Sequence, residues 1–220
     1  IPNGVTSIGW LSFCYCKELE IATLGKELNK IGESAFEGCE KLQNIIIPQN
    51  VTAIGRDAFK DTLWYNGKDD GVVYINDILY NYKGTMSPNT HIDIKDGTKF
   101  VNSYAFLYCA NLKGVTIPDG IKSINDGTFY GCKNLNNVAI PSSVTSIGDS
   151  AFFKCSSLQN ITVPDNVKII GQSAFYDCVN LTSINYRGTK DEWNNISKNR
   201  NWNTGSSITN IICSDGEINL

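Results

Sequence analysis

Apolar residues recur along this chain in an order that returns every 23 residues. From Leu158 to Leu181 it reads L-x-x-I-x-V-P-x-x-V-x-x-I-G-x-x-A-F-x-x-C-x-x-L. Pro118, Pro141 and Pro164 hold one slot, and Cys109, Cys132, Cys155 and Cys178 hold another. A period of this length marks a solenoid, in which each repeat is one turn of a coil and buries its apolar face only against its neighbours. Ile161 and Val163 are two apart and face inward from a strand, while Thr162 points out. Pro164 ends that strand because it donates nothing to a ladder. Val167 and Ile170 form a second apolar pair, and Gly171 permits a sharp backbone turn. The spacing of Ala174-Phe175, Cys178 and Leu181 predicts one helical turn with its inner side apolar.

The copies divide the chain. Residues 1–62 hold three coils, ending where Thr62 takes the cysteine slot. Ile1-Pro2 matches Ile117-Pro118, so the chain is read as starting inside a repeat and as a piece of a longer protein. Trp10, Leu11 and Tyr15 are apolar where the next coil carries Glu33, Ser34 and Gly38, which points to a contact with an upstream coil. Residues 63–91 interrupt the pattern. Two β-rich runs from Val72 to Tyr82 flank Asn76-Asp77 and predict a hairpin. From Pro48 to Lys95 is 47 residues, two periods plus one, so the insertion replaces a coil and returns the chain in register. Coils continue over 92–186. In 187–220, Thr189-Lys190-Asp191-Glu192 predicts a capping box, Trp193 and Ile196 the apolar face of a short helix, and 208–213 a strand closed by an Asp215-Gly216 turn. That segment is expected to cap the open end of the coil.

The formal net charge is −3, from 19 basic and 22 acidic residues, which leaves no electrostatic footprint for nucleic acid. No apolar run is long enough to span a bilayer, so no membrane insertion is expected. Six of the eight cysteines (Cys16, Cys39, Cys109, Cys132, Cys155, Cys178) share one slot. Parallel Cβ vectors in adjacent coils do not suit disulfides, so a column of buried free thiols is expected, with no metal. Cys14 and Cys213 lie outside it.

The string from Val144-Thr145-Ser146-Ile147-Gly148 through Ala151-Phe152, Cys155, Leu158, Ile161 and Pro164 resembles the 23-residue leucine-rich repeats of the BspA-like family of bacterial surface proteins. The segments around Asp70–Ile75 and Gly188–Asn194 look like ones in members from gut anaerobes. The resemblance covers nearly the whole chain. It implies an α/β leucine-rich-repeat solenoid: a right-handed coil with a parallel β-sheet on its concave face, short strands and helical turns on its convex side, a β-hairpin insertion and a C-terminal cap. It further implies an extracellular, bacterial cell-surface location and binding of other macromolecules, with no catalytic residues and no cofactor.

Three readings of function follow. In the first, outward strand residues form a binding face for a protein: Thr23, Ile46, Asp93, Thr116, Ala139, Thr162 and Asn185 in one column, with Ile21, Asn44, Gly114, Asn137, Asn160 and Ser183 two residues earlier. In the second, aromatics of the insertion (Trp64, Tyr74, Tyr80, Tyr82, with Tyr65 beside them) form a platform for a glycan ligand, against the plainer expectation that they pin the hairpin to the coil. In the third, the segment is a spacer that presents another domain. A monomer is expected. Catalysis is not: His91 is the only histidine, and Asp69-Asp70 and Asp191-Glu192 suit a loop and a helix cap.

Overall fold

The computed structural model describes residues 1–220, which form two compact units, Ile1–Lys83 and Gly84–Leu220. The division falls inside the expected insertion, and the hairpin belongs with the first coils.

Unit 1 contains β1 (Ser7–Ile8), β2 (Ile21–Ala22), β3 (Lys30–Ile31), β4 (Asn44–Ile45), β5 (Ala53–Ile54), α1 (Leu63–Asn66), β6 (Gly71–Ile75) and β7 (Ile78–Lys83). Strands β1, β3 and β5 make one parallel ladder and β2 and β4 another, each pairing residues one period apart, as in Ser7 with Lys30 and Ile21 with Asn44. Strands β6 and β7 are antiparallel around Asn76-Asp77, with Asn76 at φ 54°, so the predicted hairpin and its turn are present. Thr62 explains why the repeat fails there. Its hydroxyl donates to the Phe59 carbonyl (2.8 Å) and accepts from Tyr65 N–H (3.0 Å), so the residue in the thiol slot becomes the N-cap of α1.

Unit 2 contains β8 (Thr90–Asp93), β9 (Phe100–Val101), β10 (Leu112–Thr116), β11 (Ser123–Ile124), β12 (Asn137–Ala139), β13 (Ser146–Ile147), β14 (Asn160–Val163), β15 (Ile169–Ile170), β16 (Ser183–Tyr186), α2 (Lys190–Asn195), β17 (Ser197–Lys198), β18 (Asn210–Cys213) and β19 (Gly216–Asn219). A long sheet runs in the order β19-β18-β16-β14-β12-β10-β8, parallel except for β19, and β11, β13, β15 and β17 form a second parallel ladder. Between the ladders lie the buried columns: Phe106, Phe129, Phe152 and Phe175 stack with centroids 5.3–5.6 Å apart.

Two local expectations are corrected. The Ala-Phe-x-x-Cys segment forms tight turns, not a helical turn. Ser173 just before it and Asp177 within it lie at φ 55° and 53°, which no right-handed helix accepts. The reason lies one coil away: Phe152 N–H donates to Ala174 C=O and Lys154 N–H to Tyr176 C=O, both at 2.8 Å, so these amides serve the neighbouring coil. The expected C-terminal cap is present, ended by antiparallel β19, and is built as a modified coil. Strand β17 pairs with β15 and β18 with β16, and Phe175 N–H donates to Trp202 C=O (2.7 Å). Trp202 meets Phe175 edge-on, extending the ring column. The capping box at Thr189 and Glu192 is present, and Trp193 and Ile196 are buried. The final turn is Ser214-Asp215, with Cys213 opposite Gly216.

All eight cysteines are free. Cys39, Cys132, Cys155 and Cys178 are fully buried, and each thiol donates to the carbonyl of a phenylalanine 26 residues earlier, at 3.0–3.2 Å. Cys16 is exposed and Cys109 half-buried, so the column is not buried throughout as expected. Burial holds Cys132 and Cys155 well above the ordinary thiol range and pushes Cys109 and Cys178 up to about 12. Thiolate is the reactive form. In the native chain at about pH 8, one fast thiol, Cys16, is expected to react with a disulfide reagent, and the buried column only on unfolding. Rapid loss of Cys155 thiol would contradict this packing.

Candidate functional site

The outward residues of the strands align as the repeat predicts. In unit 2, Asp93, Thr116, Ala139, Thr162, Asn185 and Ile212 lie in register across β8 to β18. His91, Gly114 and Asn137 form the second column across β8 to β12, and Asn160, Ser183 and Asn210 continue its slot from β14 to β18. The face is polar and shallow, with a hollow of about 210 Å³ among Asn136, Asn137, Ala139, Asn160, Thr162 and Arg187.

His91 tops this face. Its ring lies across Gly114, where a Cβ would sit 2.5 Å from Nδ1, so the glycine makes room for the imidazole. Nε2 lies 2.9 Å from Thr116 Oγ1 and 3.4 Å from Asp93 Oδ1. A nucleophile–base–acid relay needs the hydroxyl on one ring nitrogen and the carboxylate on the other. Here both approach Nε2, so the three side chains do not form one. No three His, Cys, Asp or Glu side chains converge as a metal site, and no helix is long and apolar enough to cross a membrane.

Unit 1 differs in chemistry at the same slots. Ile21 and Ile46 project from β2 and from the residue after β4, with 62% and 86% of their surface exposed. They line a trough of about 550 Å³ with Thr23, Leu24, Gln43, Asn44, Pro48, Lys26 and Trp64. Trp64 is placed by α1: its backbone N–H donates to Leu42 C=O (2.8 Å), and its ring packs on Phe59 at 4.9 Å. The trough thus joins two residues of the strand column (Thr23, Ile46) with one from the aromatic set (Trp64). The other aromatics are elsewhere. Tyr80 is buried, edge-on to Phe59 and Tyr65, and burial drives its phenol far above the usual range. Tyr65 donates to Asn81 (2.9 Å), while Tyr74 and Tyr82 are half-buried on the hairpin. Tyr80 therefore cannot present its ring to a ligand, and the aromatic set does not gather into one platform.

Sequence reasoning placed Ile21, Ile46 and Trp64 in separate groups. The available signal was two isoleucines in slots that elsewhere, Ile212 at the C-terminal end apart, hold Thr, Asn, Ser, Asp, Ala, Gly or His. His91 and Arg187 gave no comparable signal, because their reach depends on Gly114 and on the neighbouring strands.

The BspA type leucine rich repeat region matches this chain in 6 copies, over residues 1–66 and 75–212. No curated relative matches it. Among solved structures, it is similar to a leucine rich cell surface protein from Faecalibacterium prausnitzii (23% identity, TM-score 0.54, covering 89% of this chain and 67% of that one). It is similar to the pneumococcal vaccine antigen PcpA (20%, TM-score 0.58, 98% and 67%) and to a leucine-rich repeat protein from Eubacterium ventriosum (18%, TM-score 0.53, 98% and 85%). At these identities the likeness concerns the fold, and it agrees with the repeat spacing and the two parallel ladders. The chain belongs to the BspA-type leucine-rich repeat family.

Proposed function

We propose that this chain is a non-catalytic binding module of a bacterial surface protein, and that it holds another macromolecule in the unit 1 trough. The observation that carries this is the exposure of Ile21 and Ile46 around a cavity of about 550 Å³. Contiguous exposed apolar surface is uncommon on soluble proteins and marks contact sites. The polar column of unit 2, from Thr116 to Asn185, is ordinary strand surface on this reading and plays a secondary part. The family's surface-protein neighbours and the absence of a relay at His91 support the non-catalytic assignment.

The test is binding of the whole chain to arrayed extracellular-matrix proteins and glycans, with two variants. Ile46→Lys places a charge in the trough and is expected to weaken the bound partner at least about tenfold. A triple change of Thr116, Thr162 and Asn185 to lysine is expected to leave binding within about twofold. The reverse pattern moves recognition to the unit 2 sheet. A glycan retained by both variants favours the hairpin aromatics Tyr74 and Tyr82. Binding to nothing favours a spacer.

A further inference from the structure

The sheet formed by β2 and β4 ends at β4. Asn44 N–H donates back to Glu20 C=O (3.3 Å) and so faces β2. Successive residues of a strand alternate in direction, so Ile45 turns its own N–H and C=O to the opposite side. Two flanking segments bracket that edge. The Trp64 backbone N–H from α1 takes Leu42 C=O (2.8 Å), and the side-chain amide of Asn76 in the hairpin turn takes Pro48 C=O (3.0 Å) and reaches Ile47 C=O (3.5 Å). Between them Ile45, whose backbone turns to the open side, meets no backbone partner, while Ile46 faces β2. In unit 2 the equivalent edge is filled: Thr90 donates to Asn111, just before β10, and Ile94 to Thr116 at its end, at 3.1 and 3.0 Å. Natural edge strands are usually blunted by a charge, a proline or a bulge. The edge here reads Ile45-Ile46-Ile47 and carries none before Pro48.

We infer that the occupant of the trough is an extended peptide that pairs in parallel with β4, placing an apolar side chain among Ile21, Ile46 and Trp64 and an acidic side chain, two residues further on, toward Lys26. The inference rests on the trough being the recognition site. Parallel pairing continues the ladder that β2 and β4 already form. In such a strand, every second residue shares a face, which sets the two-residue spacing. Trp64 lies at the Leu42 end of β4, while Lys26 and Pro48 lie at the other, so the apolar residue comes first.

Charge complementarity selects the acid. Lys26 lines the trough, and no carboxylate lines it. Lys17, Lys41 and Lys60 of the same unit are each paired with a glutamate of an adjacent coil, whereas Lys26 has no ion pair. Lys68 adds a second cation, 4.4 Å over the Trp64 ring. That ammonium and Phe59 occupy the ring where a sugar would stack, which favours a peptide over a glycan.

The test uses the intact chain and the fluorescently labelled peptide Thr-Thr-Leu-Thr-Glu-Thr, read by polarisation. The leucine N–H points to β4 in the proposed register, and that of the following threonine points away. N-methylation at the leucine is expected to weaken binding at least about tenfold, and at that threonine by less than about threefold. Glutamate-to-lysine in the peptide is expected to weaken it similarly, with recovery on Lys26→Glu. Equal tolerance of both N-methyl peptides, with binding still lost in Ile46→Lys, would overturn strand pairing and leave the trough as a site. No binding of the parent peptide at about 1 mM, or trough binding of a glycan instead, would overturn the inference as well. Peptide binding unaffected by Ile46→Lys would overturn both the inference and the proposed site.

Discussion

Replacing Phe152 by alanine is expected to lower the stability of unit 2 by about 3–5 kcal/mol. The ring is fully buried and stacked between Phe129 and Phe175, each with its centroid 5.3 Å away. Truncation removes the transfer energy of the ring and leaves a void that the coils cannot close, because their spacing is set by backbone ladders on both sides. The neighbouring Phe153 is the control. It stacks on Tyr130 and Tyr176 at 4.4 and 4.9 Å but is only half-buried, so Phe153→Ala is expected to cost nearer 1 kcal/mol. Trp193 and Trp202 sit in the unit 2 cap and give an emission signal for urea unfolding once Trp10 and Trp64 are changed to phenylalanine. Equal losses for Phe152→Ala and Phe153→Ala would mean that the inner column is not the main source of stability.

Gly171→Ala is expected to destabilise unit 2 by about 1–3 kcal/mol, whereas the same change at Gly9 in unit 1 is expected to be near neutral. Where the backbone accepts it, alanine for glycine usually stabilises by about 0.4–1 kcal/mol through the unfolded chain. Neither glycine has a positive φ, so the sign turns on space. A Cβ on Gly171 would sit 2.5 Å from Asp149 N and from Gly148 C, which are backbone atoms of the preceding coil. On Gly9, in the same slot, it would meet only Ser12 Oγ, at 3.2 Å, and that side chain can rotate away. The slot holds asparagine at 102 and 125, so the requirement belongs to particular coil contacts and not to the repeat letter. Thermal melts of the two variants against the parent chain decide it. A stabilised Gly171→Ala would show that the coils can part at little cost.

The 23-residue period determined the coil, the inward columns and the outward register, because each slot is set by residues close in sequence. Ile161 and Val163 face in for the reason that any two strand residues two apart share a face. The hairpin at Asn76-Asp77 and the capping box at Thr189 and Glu192 were legible for the same reason. Other features depend on partners one coil or more away. Phe152 N–H could have closed a helical turn, and only the nearby Ala174 carbonyl makes it serve a ladder instead. Residues 199–207 read as a polar loop until Trp202 is seen carrying the ring column on from Phe175, at a spacing of 27 in place of 23. The trough was hidden because Ile21, Ile46 and Trp64 come from two successive coils and a helix. Period and burial are written locally in this chain. Hydrogen-bond partners and the shape of its surface are set between coils, where contacts are distant in sequence and only the folded stack brings them together.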